Sequence, residues 1–183
     1  MSTRAAPRPL APGVLGMWLF IASEAMFFAG LFAAYFSVRA AQDVWPPADA
    51  PRPSLGLAGA LTATLLASSV TQHLAAHAGG SRQRRLLGTT IALGALFLTG
   101  QAFEWRQLGA EGLSVVSGAF GTLFFLVTGA HGLHVLAGLV MLGGAAAGLG
   151  TPRAQDRVEA VTYYWHFVDV VWLLVLAALY VSS

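Results

Sequence analysis

The sequence has no cysteine and no lysine, and charged residues fill only 10% of its 183 positions. Without cysteine, neither a disulfide framework nor a thiolate metal site can form. All the basic charge is carried by ten arginines, which against eight acids leave a net charge of +2. They lie between apolar runs and make no continuous basic stripe, which argues against nucleic acid as a partner. No phosphate-binding glycine loop, nucleophile elbow, zinc-protease helix or redox Cys pair is present. What the chain does have is apolar surface: 56% of its residues are hydrophobic and the mean hydropathy is +0.67. A soluble domain of this length leaves much of its area in water, and about a quarter of its residues are ordinarily charged. The solvent that suits this chain is a lipid bilayer.

Five apolar runs follow one another, at about residues 14–39, 54–78, 84–104, 113–149 and 157–181. The first is too long for the roughly 7–15-residue core of a signal peptide and no small-residue cleavage site follows it. It therefore reads as a membrane helix. Residues 1–13, with three prolines and two arginines, read as a mobile cytoplasmic tail. Ser54 is placed to cap the second helix, and Gly79-Gly80-Ser81 to close it. The third run reads as the shortest. The fourth holds no Lys, Arg, Asp or Glu and exceeds the roughly 20 residues a bilayer requires. It must tilt, begin with an interfacial segment, or protrude. Period-two alternation is absent, and uninterrupted runs of this length are not the roughly 9–11-residue strands of a membrane barrel. Only a helix meets its own backbone hydrogen bonds in lipid. The expected fold is an all-α, polytopic bundle of five transmembrane helices forming one domain over residues 14–183.

Arginine placement predicts the orientation. Arg4, Arg8, Arg82, Arg84, Arg85, Arg153 and Arg157 lie in segments on one side of a five-helix protein; Arg39, Arg52 and Arg106 lie on the other. Seven against three puts the N-terminus in the cytoplasm and the C-terminus outside.

Ionisable groups at hydrocarbon depth need a partner or water. Glu24 lies ten residues into the first run, about 15 Å along its axis. Desolvation there disfavours a free carboxylate. Two roles follow: a proton-exchanging carboxyl, or a neutral acid tying two helices. The fifth run carries Glu159, Thr162, His166 and Asp169 on one helical face, and the fourth carries His131 and His134 one turn apart. Opposite chain directions bring His131, His134, His166 and Asp169 to similar depths. Ser69, His73 and His77 share a face of the second run, and Gln101 and Glu104 close the third. From residues alone, the histidines and aspartate are either a hydrogen-bonded network holding helices in register or ligands of a metal or haem.

Four stretches resemble subunit III of the haem–copper respiratory oxidases. They are GMWLFIASEAMFF at 16–28, with the buried glutamate; QAFEW at 101–105; TGAHGLHV at 128–135; and YYWHFVDVVW at 163–172. They occur in the family's order and span nearly the whole chain. The resemblance implies a non-catalytic subunit of a bacterial terminal oxidase in aerobic respiratory electron transport, with no metal or redox cofactor of its own. It implies packing against catalytic subunit I, and subunit II in the same complex, where the haem and copper reside. It also implies bound phospholipid and support for the stability and proton uptake of the catalytic subunit. The cytoplasmic (inner) membrane of a bacterium is the implied location. Many members have seven helices, whereas this chain starts at what resembles the third. Its last loop also lacks histidines common there, which leaves Arg153 and Arg157, with His73 and His77, as candidate lipid-headgroup contacts. Other readings are an accessory of nitric oxide reduction, a membrane cytochrome using His131, His134 and His166, and a proton-coupled transporter using Glu24 and Asp169.

Overall fold

The computed structural model describes residues 12–182. The tail expected at residues 1–13, with Arg4 and Arg8, lies outside them except for its last two residues, which already belong to the first helix. The helices are α1 (Pro12–Ala40), α2 (Leu55–Ala76), α3 (Gly80–Ala110), α4 (Ala119–Ala147) and α5 (Ala154–Val175). The last continues as a π-helical turn over Leu176–Val181. The protein is all-α: no strand occurs among the described residues, and five helices are long and apolar enough to cross a membrane.

Local chemistry sets the ends. Pro12 opens α1, where its missing N–H costs nothing. Ser54 caps α2 as expected, accepting from the Leu57 N–H at 3.3 Å. The glycine pair does something different from the stop expected of it. Gly80, at φ +59°, is the first residue of α3, so α2 and α3 are joined by a turn of three residues, 77–79. The third helix, expected to be the shortest, is the longest at 31 residues. Hydropathy marks only its apolar middle, while the backbone continues to hydrogen-bond through Arg82–Arg85 and Glu104–Gln107. The fourth begins at Ala119, six residues later than the apolar run. The N–H of Leu113 closes on the Leu108 carbonyl (2.9 Å), and Gly112 is in the left-handed region at φ +98°. Ser114 and Ser117 then bond each other across a turn. The apolar segment 113–118 is thus an irregular connection and not part of the fourth helix.

α5 is the centre of the bundle and packs against α1, α2 and α4, while α3 joins α2 to α4. Over their most apolar stretches α5 is 56% buried and α1 only 17%. α1 is attached by a narrow stripe at sevenfold spacing: Val14, Ile21, Phe28 and Tyr35. Bilayer lipid supplies no hydrophobic drive for helices to associate, so close packing must do it. The tightest place is around the fully buried Trp165 of α5. A β-carbon on Gly94 of α3 would lie 2.7 Å from its ring, and one on Gly138 of α4 would lie 2.8 Å from it. Glycine is required at both positions for that approach, and the indole N–H donates to Ser68 Oγ of α2 at 3.0 Å. One side chain therefore locks four helices.

Candidate functional site

The polar residues expected to form one network are placed in separate clusters. Glu24 of α1 meets His134 of α4, with Oε2 2.8 Å from Nε2. His134 Nδ1 lies 2.7 Å from the Ala130 carbonyl, which can only accept, so Nδ1 carries a proton. The proton between Nε2 and Oε2 then belongs either to an imidazolium facing a carboxylate or to a carboxylic acid facing a neutral imidazole. Both arrangements have zero net charge, the form a bilayer midplane tolerates. Phe28 meets the imidazole edge-on at a centroid distance of 4.8 Å, and Tyr164 OH donates to the His134 carbonyl at 3.0 Å.

His131, one turn away on α4, does not join this pair. It is completely buried between Phe97 and Trp172, and neither ring nitrogen has a hydrogen-bond partner among the described residues. His166 and Asp169 of α5 face α2. His166 Nδ1 lies 2.7 Å from Ser69 Oγ and 3.8 Å from Asp169 Oδ2. One turn nearer the arginine-rich end, Gln72 donates to Thr162 Oγ1 at 2.9 Å. Glu159 accepts from Tyr163 OH at 3.1 Å. His73, in the last turn of α2, and His77, just past its end, have tilted rings 4.7 Å apart, and His73 stands 6.2 Å from the His166 ring. Arg153 and Arg157 line a separate recess of about 430 Å³ with Pro12, Gly13 and Asp156. Among the described residues no three His, Asp or Glu side chains gather as a metal-holding group.

The acid with three hydrogen bonds is one two of whose partners the sequence did not reveal. Glu104 of α3 is buried and accepts three bonds: from Tyr180 OH at 2.6 Å, from Gln101 Nε2 at 3.1 Å and from the Ser54 N–H at 3.2 Å. It joins the start of α2, the end of α3 and the π-helical end of α5. The one-turn spacing of Gln101 and Glu104 was a visible signal, but Tyr180, 76 residues on, was not. Tyr35 OH donates to the Ala178 carbonyl at 2.9 Å and fastens α1 to the same end.

Comparison with known proteins bears directly on these clusters. The family model for cytochrome c oxidase subunit III matches residues 10–183. The chain belongs to the cytochrome c oxidase subunit III family. It is 41% identical over 175 residues to the probable cytochrome c oxidase subunit 3 of Nocardia farcinica, covering 91% of this chain and 86% of that one. It is 38% identical over 177 residues to the cytochrome c oxidase subunit 3 of Corynebacterium diphtheriae, with the same coverage. The Synechocystis protein of that name is 34% identical over 91% of this chain and 74% of its own length. The chain is therefore subunit III of a haem–copper oxidase, a multi-pass membrane protein within a multi-subunit complex. Subunit III proteins are generally without a redox cofactor of their own. In this one, Glu24 and His134 fall in the first and third of the stretches that carried the resemblance, and Glu104 in the second.

Proposed function

We propose that this chain works as a non-catalytic scaffold of the oxidase: it holds catalytic subunit I, in a complex with subunit II, in an active state during electron transfer to oxygen, and passes no electrons itself. The observation that supports this is that acids within its helices, Glu24 partly and Glu104 fully buried, tie helices together. Glu24 joins α1 to α4 and Glu104 joins α2, α3 and α5. Haem and copper are then held by the partner subunits. Purification of the tagged chain in mild detergent tests the reading. The expected result is co-purification with a haem- and copper-containing subunit, and loss of all haem absorption when that partner is stripped away. A stoichiometric haem left on the isolated chain would count against it.

The proposed location is the cytoplasmic membrane of a bacterium. Arg82, Arg84 and Arg85 at the start of α3, and Arg153 and Arg157 at the start of α5, lie at the end of the bundle where α1 starts, and that end is assigned to the cytoplasm. Arg153 and Arg157 are proposed to hold a phospholipid phosphate in their recess at that interface.

Glu24 is assigned a structural role. In a Glu24→Gln variant the side-chain amide can still donate to His134 Nε2, because Nδ1 keeps its own proton on Ala130 O. That variant is expected to assemble and turn over near the parent rate. Glu24→Ala leaves His134 Nε2 unpaired in an apolar site, at about 1–3 kcal/mol, and is expected to assemble less well. Turnover against pH in the two assembled enzymes separates the roles. A Gln variant as slow as Ala, and slower still as protons become scarce at high pH, would mean that Glu24 exchanges protons.

A further inference from the structure

A cavity rich in titratable groups lies outside these roles. It lies between α2 and α5, has a volume of about 430 Å³, and is lined chiefly by His73, His77, Gln155, Glu159, Tyr163 and His166. Gln155 is at the arginine-rich end of α5 and His166 is eleven residues further, about 17 Å deeper along the axis. His73, His77 and Glu159 stand near the arginine-rich end of the bundle, and an imidazole as deep as His166 is costly against hydrocarbon unless water or a partner reaches it. The space is many times the ~30 Å³ share of one water molecule, and His73, His77, Gln155, Glu159 and His166 offer water polar partners along an otherwise largely apolar wall.

Asp169 lies just beyond the inner end. It is 95% buried by the complement of its 5% exposure, and neither carboxyl oxygen has a hydrogen-bond partner among the described residues. A carboxyl so buried and without a close hydrogen bond is costly unless something reaches it. The two groups nearest it are those at the end of the cavity. His166 Nδ1 is 3.8 Å away, and Ser69, whose hydroxyl is 2.7 Å from that nitrogen, also faces the carboxyl. His166 itself has 38% of its side chain exposed, on the cavity side. The imidazole thus has one edge toward the cavity and the other toward Ser69 and Asp169.

We propose that the α2–α5 cleft is a water-filled inlet, closed at its inner end by Asp169, and that His166 and Ser69 pass protons between its water and the Asp169 carboxyl. In the inward step, His166 gains a proton at Nε2 from water. It releases the Nδ1 proton to Ser69 Oγ as the hydroxyl proton passes, through an intervening water of the inlet, to Asp169. Only N–H and O–H bonds change, and no electron moves. Asp169 is then a proton-holding site on subunit III, distinct from the Glu24–His134 pair on the other side of α5.

This chain has no native cysteine, so labelling carried out on the complete oxidase can be read on this subunit after the subunits are separated. Single cysteines at Ser69 and Thr162 should react with a charged, membrane-impermeant methanethiosulfonate. Val170→Cys, on the 57%-exposed outward face of α5, should react about tenfold more slowly or not at all, since only a hydrated thiol ionises to the reactive thiolate. Equal rates at all three, or no reaction at Ser69→Cys and Thr162→Cys, would remove the inlet. The relay is read by infrared spectroscopy. The carboxyl signal lost in the isosteric Asp169→Asn variant should exchange in heavy water within minutes, and an order of magnitude more slowly in His166→Phe. Absence of such a signal, or the same exchange rate without the imidazole, would overturn the relay.

Discussion

Replacing Trp165 with alanine is expected to be the most damaging single change to this bundle. The indole is fully buried, meets backbone on two helices at Gly94 and Gly138, and donates to Ser68 on a third. Removing a buried aromatic side chain of this size costs about 3–5 kcal/mol. That is a large part of the roughly 5–15 kcal/mol by which a folded protein exceeds its unfolded state. The cost is felt here without the hydrophobic compensation available in water, because α3, α4 and α5 are held together by contact. The reverse change tests the same fit. A methyl on Gly138 would meet the indole at 2.8 and 2.9 Å and the Tyr164 ring at 3.2 Å, so two large side chains must move. Gly138→Ala alone should therefore lower the thermal midpoint of the purified oxidase. In a Trp165→Phe background, where the outer ring is gone, the same methyl should do little harm, and the double-variant cycle should show a favourable coupling. Additive effects, or a Trp165→Ala subunit that assembles with an unchanged midpoint, would show that the slot does not hold the helices.

The second large effect is expected at Glu104. Its carboxyl receives three donors, and Glu104→Ala leaves the Ser54 N–H and the Tyr180 hydroxyl without their acceptor and the Gln101 amide with only its longer bond to Tyr180 OH, at 3.4 Å. Each unsatisfied buried group costs about 1–3 kcal/mol. Glu104→Gln keeps one carbonyl oxygen but turns an NH2 toward a set of donors, so it should fall between alanine and the parent. Tyr180→Phe removes one bond of the three and should be mildest. The order is read from assembly yield, and from hydrogen exchange of the Ser54 amide, which should speed up in both Glu104 variants. If exchange at Ser54 were unchanged while assembly failed, the acid would be acting elsewhere than on the start of α2.

The two residues differ in how visible they were. Trp165 and its glycines were all in the sequence, but nothing in a run of apolar residues tells which glycine faces which ring. Glu104 stood one turn from Gln101 on the third helix, so their shared face was legible. Its other partners, Ser54 and Tyr180, are 50 and 76 residues away. The polar residues of α4 and α5 show the same division. Helical spacing correctly put His166 and Asp169 on one face, and left open which neighbour that face meets. The common depth expected for His131, His134 and Asp169 was a statement about height along the membrane. Rotation about the helix axis then separated them: His134 toward α1, His131 into the aromatic core, and Asp169 toward α2.

The sequence by itself determined that this chain is five helices in lipid, because backbone groups in hydrocarbon must bond within their own segment and each apolar run is long enough to span. It also determined the family, through motifs whose order runs along the whole chain. The tertiary structure alone decided where each helix stops and which polar groups meet. Helix ends depend on local hydrogen bonds that hydropathy does not register, such as the Leu113–Leu108 closure before α4. The pairings depend on the rotation of each helix, which is set when a large ring such as Trp165 finds the places where two glycines let the backbones come close.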